Sequence, residues 1–284
     1  MNLEQANLAC EAIIKSNSRS FYTAFKDLPK SKRQAVFAVY AFCRLVDDAI
    51  DIHHDINLLD QLSEELNQIK ANFNSNHFVF IALQSAIKQY AIPYQPFYDM
   101  IEGQRQDNTF RQSETDDQFL RYCYLVAGTV GLMLLPILAH QSKESLDPMA
   151  LHLGYAMQIT NVLRDIGEDY QMDRVYLPKS SFKQYPNALE AISKQVTNPD
   201  FIQLWEDWAK QAETHYKDAL KYIPLIDSES YLPLLSSIFY YREILKVIRK
   251  SDYNVLTQRQ RVENYHLLKL RIRIYQLMHV FSGV

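Results

Sequence analysis

Glycine is scarce in this chain, at 6 of 284 residues. That is roughly 2% against an average near 7% and argues against a nucleotide-binding α/β fold built on tight glycine turns. Gly-x-Gly-x-x-Gly, the Asp-x-Asp-x-Asp-Gly run of a calcium loop and the His-Glu-x-x-His of a zinc protease are all absent. The 3 cysteines, Cys10, Cys43 and Cys123, have no paired spacing. Cys43 and Cys123 lie in apolar runs where a reduced, buried thiol is expected, which points to a cytosolic protein. Neither sign of charge dominates: 33 acidic and 30 basic residues leave −3, so no global field selects nucleic acid or an anionic surface. The N-terminus lacks a basic segment ahead of an apolar run, so no signal peptide is expected. The longest apolar run, about Tyr122 to Ala139, contains Gly128, Thr129, Gly131 and Pro136 and only approaches the ~20 residues that span a bilayer. It is read as a buried helix, and no transmembrane segment is expected.

What the sequence does contain is helical periodicity and enough apolar residues, 48%, for one sizeable core. Helices are expected over Leu3–Lys15, Ser31–Asp51, Asn57–Phe73, His77–Ala91, Phe97–Gln104, Gln118–Leu138, Asp147–Tyr170, Pro199–Ile223, Glu229–Lys250 and Thr257–Phe281. Gly103–Asp117 reads as a connecting loop or frayed end. No repeat, low-complexity tract or linker divides the chain, so one all-α domain over residues 1–284 is the simplest account.

Two helices carry acids in the same pattern. On Ser31–Asp51, Phe37, Tyr40, Arg44, Asp47 and Asp51 share a broad face, with Asp48 on its flank. On Asp147–Tyr170, Gln158, Asn161, Asp165 and Asp169 form a polar stripe, with Gly154 one turn earlier on the same face. Each aspartate pair is four residues, ~6 Å, apart. If enclosed, the two charges repel by roughly 3 kcal/mol at an effective dielectric near 20, whereas on a solvated surface the cost is a few tenths. The helix macrodipole further disfavours acids at a C-terminal end. Solvated helix ends neutralised by Arg44 and Arg164 would explain one such cluster; two with identical spacing favour a hard divalent cation, Mg²⁺ above all, with positions left for phosphate. The polar stop Ser16-Asn-Ser-Arg-Ser20 is either helix punctuation or a phosphate-contacting turn.

Cys43-Arg-Leu-Val-Asp-Asp-Ala-Ile-Asp51 and Gln158-Ile-Thr-Asn-Val-Leu-Arg-Asp-Ile-Gly-Glu-Asp169 together resemble the paired aspartate motifs of the squalene and phytoene synthase family. Ser18-Arg-Ser-Phe21, Tyr40, Tyr122-Cys-Tyr with Val126-Ala-Gly-Thr-Val-Gly131, and Arg174-Val-Tyr-Leu-Pro178 match in order, so the resemblance covers nearly the whole chain. It implies an all-α isoprenoid synthase fold with acids facing across a central cavity. It also implies Mg²⁺ held by Asp47, Asp51, Asn161, Asp165 and Asp169, and prenyl diphosphate contacted by Ser18, Arg19, Ser20, Tyr40, Arg44, Gln158, Arg164 and Tyr241. Asp48, Tyr122, Arg174 and Tyr176 are further catalytic candidates, and Phe239 or Tyr240 competes with Tyr241 for its place. For each tyrosine, plain aromatic packing is an equal alternative.

The chemistry the resemblance implies is head-to-head fusion of two prenyl diphosphates through a cyclopropyl diphosphate. The short chain is similar to bacterial carotenoid-pathway members, implying two farnesyl diphosphates and dehydrosqualene released without reduction, so NADPH is not expected. Phytoene formation from geranylgeranyl diphosphate, NADPH-dependent squalene formation, chain elongation and a non-catalytic scaffold are the alternatives. Phe37 lies ten residues, ~15 Å, before Asp47, and with Phe25 is expected to floor a pocket for a fifteen-carbon tail. The oily product implies transient contact with a membrane surface, but no amphipathic segment singles itself out and no obligate protein partner is implied.

Overall fold

The computed structural model describes residues 1–142 and 145–262. Among these, α-helices succeed one another without a strand. The first eight are α1 (Leu3–Asn17), α2 (Arg19–Phe25), α3 (Lys30–Asp51), α4 (Ile56–Lys70), α5 (Phe78–Tyr90), α6 (Gln95–Asn108), α7 (Asp116–Cys123) and α8 (Thr129–Leu138). They are followed by α9 (Asp147–Gln171), α10 (Lys179–Gln184), α11 (Ala188–Lys194), α12 (Pro199–Leu220) and α13 (Tyr231–Lys250).

The two acid-bearing helices are the interior staves. Helix α3 is apolar around most of its circumference and packs on α1, α5, α6 and α8, burying Ala35 to Val39, Phe42, Val46 and Ile50. Helix α9 packs on α8, α12 and α13. Its position is pinned from α12, where the Trp205 indole donates to the Leu163 carbonyl at 3.1 Å and the Tyr216 hydroxyl meets Thr160 at 3.0 Å. Glycine lets α9 approach the turn just ahead of α8: a Cβ on Gly154 would stand 2.4 Å from the Gly128 Cα, closer than real Cβ contacts allow.

The structure departs from the expected elements where polar residues were read as breaks. Helix α6 continues through Gly103 to Asn108, because a flat helix surface at Gly103 receives the Leu125 backbone. The polar stop after α1 is one residue wide: Ser18 caps α2, its side chain accepting from the Phe21 N–H at 3.4 Å. Helices α10 and α11 occupy a stretch without an expected element. The expected helix Thr257–Phe281 is irregular over its first six residues, and the rest lies outside the described residues.

The apolar run 116–138 is long and apolar enough to cross a membrane by length and composition. Here it is interrupted by a π-helical turn, Tyr124–Gly128, and divided between two interior tasks. Cys123, Leu125, Thr129, Met133 and Ile137 are in the core, while Val126, Val130, Leu134 and Leu138 line a cavity. The extra residue in the π turn changes the register, so Thr129 and Met133 do not share the face of Tyr122 and Val126 as a continuous α-helix would have them.

Candidate active site

Carboxylates from three helices converge. Asp47 and Asp51 end α3, Asp165 and Asp169 end α9, and Asp107 comes from the last turn of α6. Asp47, Asp165 and Asp169 are half-buried and Asp51 is exposed. Burial, the Asp51 charge and those of Asp48 and Asp107 outweigh Arg44 and push the Asp47 carboxyl up to about 7. Burial and Asp165, with Glu168 and Asp107, push Asp169 up to about 7 against the pull of Arg174. Asp107 acts on both, which places it between the two acid pairs.

Asp107 was not a sequence candidate, because it fell in the stretch read as a loop. It is 6% exposed. Arg174 Nη1 donates to its Oδ2 at 3.0 Å and the Tyr176 hydroxyl to its Oδ1 at 3.2 Å. Tyr122 stacks on Tyr176 at 5.2 Å and lies against Asp107. Desolvation raises the Asp107 carboxyl, with Arg174 and both tyrosines opposing it. Arg174 reaches this position through a tight turn: Asp173 adopts φ 56° and the Arg174 N–H donates to the Asp169 carbonyl at 2.9 Å. Thus Tyr122, Arg174 and Tyr176 form one wall, anchored by an acid that sequence reasoning missed. A second missed residue, Gln104, lies one turn before Asp107 and donates from Nε2 to Asp47 Oδ1 at 2.8 Å. Its own Oε1 is buried without a partner.

The arginines expected on diphosphate are held by acids in this state. Arg44 pairs with Asp48, one turn away, and Arg164 Nε donates to Asp165 Oδ1 at 2.7 Å. Arg259, which the sequence did not single out, adds contacts to Asp165 Oδ1 at 3.2 Å and Glu168 Oε2 at 3.0 Å. Its segment crosses α9 at Gly167, where a Cβ would meet the Leu256 carbonyl at 2.4 Å.

Below this polar mouth lies an apolar cavity of about 180 Å³ between α2, α8, α9 and α13. Gln158, Asn161 and Tyr241 form its polar end, while Phe25, Leu138, Leu153 and Leu234 line its depth. Tyr241 is therefore the interior member of the three consecutive aromatics. Phe21, another missed lining residue, joins the walls by ring contacts to Phe25 at 5.8 Å and to Tyr40 and Tyr241 at 6.3 Å. Ser18 lies against Tyr40, whereas Arg19 and Ser20 are exposed in the first turn of α2.

Phe37 does not floor the cavity. It is 1% exposed in the core, packed on Tyr22 at 5.8 Å, and is not among the lining residues. A helix turns 100° per residue, so over the ten residues back from Asp47 the face drifts away from the cavity.

Among the described residues, no three His, Cys, Asp or Glu side chains form a ready-made ion cage. The donor set nevertheless fits a hard cation shared with a ligand. Asn161 turns its amide nitrogen to Gln158 at 3.4 Å, leaving Oδ1 buried and unpartnered. An oxygen without a donor and two carboxyls raised by burial and by neighbouring acids are both relieved by positive charge.

The squalene/phytoene synthase family model matches residues 14–266. A 4,4′-diapophytoene synthase of Staphylococcus haemolyticus is 35% identical over 89% of this chain and 90% of its own length. A 15-cis-phytoene synthase of Synechococcus elongatus is 31% identical over 94% and 91%. A crystal structure of a dehydrosqualene synthase in complex with ligand superposes with a TM-score of 0.93, at 39% identity, covering 98% of both chains. By the family model and by these relatives, this chain belongs to the squalene/phytoene synthase family.

Proposed function

We propose that this enzyme condenses two farnesyl diphosphates head to head, through presqualene diphosphate, to dehydrosqualene (4,4′-diapophytoene), with Mg²⁺ and without NADPH. The observation that carries this reading is the apolar cavity whose polar end, at Gln158, Asn161 and Tyr241, adjoins the acid pairs. From Asn161 to Ala150 it follows α9 for about 16 Å before Leu138 and Phe25 limit it, a depth suited to a fifteen-carbon tail. The similar 4,4′-diapophytoene synthase supports the same product.

In this mechanism Asp47, Asp51, Asn161, Asp165 and Asp169 would hold Mg²⁺. Mg²⁺ supplies charge neutralisation for the departing diphosphate. Arg44, paired with Asp48, Arg164, paired with Asp165, and Arg259, paired with Asp165 and Glu168, border the acids and supply guanidinium donors for the diphosphate. Ser18 and Tyr40 border the same mouth, with Arg19 and Ser20 at its rim. The allylic cation that forms on loss of diphosphate is enclosed by Phe21, Tyr40 and Tyr241, whose ring faces stabilise positive charge. Water is excluded from the cavity walls, which protects the cation from hydrolysis. Tyr122, Tyr176 and Arg174 are kept in place by Asp107 for the second ionisation, with proton loss ending the sequence.

The purified chain, incubated with farnesyl diphosphate and Mg²⁺ with and without NADPH, should release a thirty-carbon conjugated triene in both cases, read by mass and ultraviolet absorption. A forty-carbon product formed preferentially from geranylgeranyl diphosphate would replace this reading with phytoene synthesis. A product reduced by NADPH would mean squalene, and no product from either substrate would leave a non-catalytic scaffold.

A further inference from the structure

Among the described residues, two side-chain amide oxygens are buried without a partner, Asn161 Oδ1 and Gln104 Oε1, and each belongs to a residue beside one of the acid pairs. Asn161 stands one helical turn before Asp165. The equivalent place before Asp47 is held by Cys43, and a thiol is a poor ligand for a hard ion. The amide that α3 lacks is supplied by α6, which packs against it. Gln104 is 7% exposed, and its neighbour Gly103 lets α6 close on Leu125, whose Cβ would stand 3.0 Å from a Cβ added there. Gln104 Nε2 donates to Asp47 Oδ1 at 2.8 Å, and no hydrogen bond reaches Asp47 Oδ2 from the described residues. A structural tie between α6 and α3 accounts for the Nε2 bond. It does not account for Oε1, because a buried acceptor left unmade costs stability that an apolar side chain of the same length would avoid.

We propose, resting on the Mg²⁺-dependent function above, that Gln104 is a positioning residue of the metal site and sets its preference for Mg²⁺ over larger cations. Its Nε2 engages Asp47 Oδ1, so Asp47 offers the ion Oδ2 alone. Its Oε1 accepts a hydrogen bond from a water that the ion retains. Both features suit Mg²⁺, whose near-ideal octahedral geometry is better met by one carboxylate oxygen than by two at a narrow bite, and which gives up its waters reluctantly. Ca²⁺ is larger, accepts two-oxygen carboxylate binding and tolerates irregular geometry, so it gains less from either. Gln104 acts here as the outer-shell partners of metal ligands do, orienting a ligand and holding a bound water without touching the ion.

The test follows Mn²⁺ bound to the full chain in the presence of farnesyl thiodiphosphate by paramagnetic resonance, and displaces it with Mg²⁺ or with Ca²⁺. Gln104→Met keeps the length of the side chain and removes both polar atoms. In this variant the ratio of the Mg²⁺ to the Ca²⁺ concentration at half displacement should rise about tenfold over the parent. Circular dichroism establishes that the variant is folded. An unchanged ratio in the folded variant, the result of a purely structural tie, overturns the proposal while leaving the metal site standing. A parent chain that binds no Mn²⁺ removes the metal site itself, and this role with it. Crystals of the parent with Mn²⁺ and the same analogue give a second readout that needs no variant. Asp47 bound through one oxygen, with a metal-bound water at hydrogen-bond distance from Gln104 Oε1, is the expected result; Asp47 bound through both oxygens, or no such water, overturns it.

Discussion

Replacing Asp47 with asparagine should stabilise the ligand-free protein while abolishing its activity. The folded Asp47 carboxyl is raised from 3.8 to about 7 by burial and then by Asp51. The unfolded chain therefore ionises first, and stability is lost as pH rises from about 4 through 7. Between pH 5.5 and that upper value lie 1.5 units, which at 1.36 kcal/mol each make about 2 kcal/mol. Asparagine carries no charge and escapes this loss. Its amide can also donate to Gln104 Oε1, the buried oxygen that lacks a partner, while its carbonyl still accepts from Gln104 Nε2. The advantage of Asp47→Asn over the parent should thus grow by about 2 kcal/mol from pH 5.5 to 8.5, roughly 3–4 °C in melting temperature. Differential scanning calorimetry of both proteins across that range provides the measurement. Mg²⁺ with inorganic diphosphate should close the gap by stabilising only the parent. An advantage independent of pH, or a variant less stable at both ends, would refute the argument that uncompensated charge is stored at this position.

Phe25→Ala should enlarge the deep end of the cavity, cost about 3–4 kcal/mol and shift preference from fifteen- toward twenty-carbon substrates, measured by competition between the two diphosphates. Phe37→Ala should cost a similar amount by thermal melting yet leave that preference unchanged, because Phe37 packs on Tyr22 outside the cavity. Asp107→Asn should lower kcat by roughly a hundredfold, about 2.7 kcal/mol at the barrier, with little change in melting temperature at neutral pH, since Arg174 and Tyr176 lose their charged anchor. Gly154→Ala should destabilise by more than 2 kcal/mol in chemical denaturation, because its Cβ would overlap the Gly128 backbone.

Sequence periodicity was a good guide wherever a helix has one apolar face or is apolar throughout: α3 and α9 lie within a residue or two of their expected bounds. The convergence of their acids was legible because a four-residue spacing puts both carboxylates of each pair on one face of its helix. Asp107 and Gln104 were not legible. Their helix is short and polar and contains Gly103, which looks like an ending and is instead a packing surface for Leu125. A π turn, a backbone feature with no clear residue signature, takes Thr129 and Met133 off the face of Tyr122 and Val126 and into the core. Phe37 failed for a geometric reason, the drift of a helical face over ten residues. Ser18 takes the first of the two alternatives for the polar stop, capping α2, and also lies against Tyr40.

The central claim is that the acids of α3 and α9 act together as a cation-dependent clamp on diphosphate. Crystals grown with Mn²⁺ in place of Mg²⁺ and a non-ionisable farnesyl thiodiphosphate test it directly by anomalous scattering. Manganese peaks touching Asp47 or Asp51 on one side and Asn161, Asp165 or Asp169 on the other, with diphosphate between and the tail directed toward Phe25, are the predicted result. Diphosphate bound without metal, or metal confined to sites away from both helices, would contradict it.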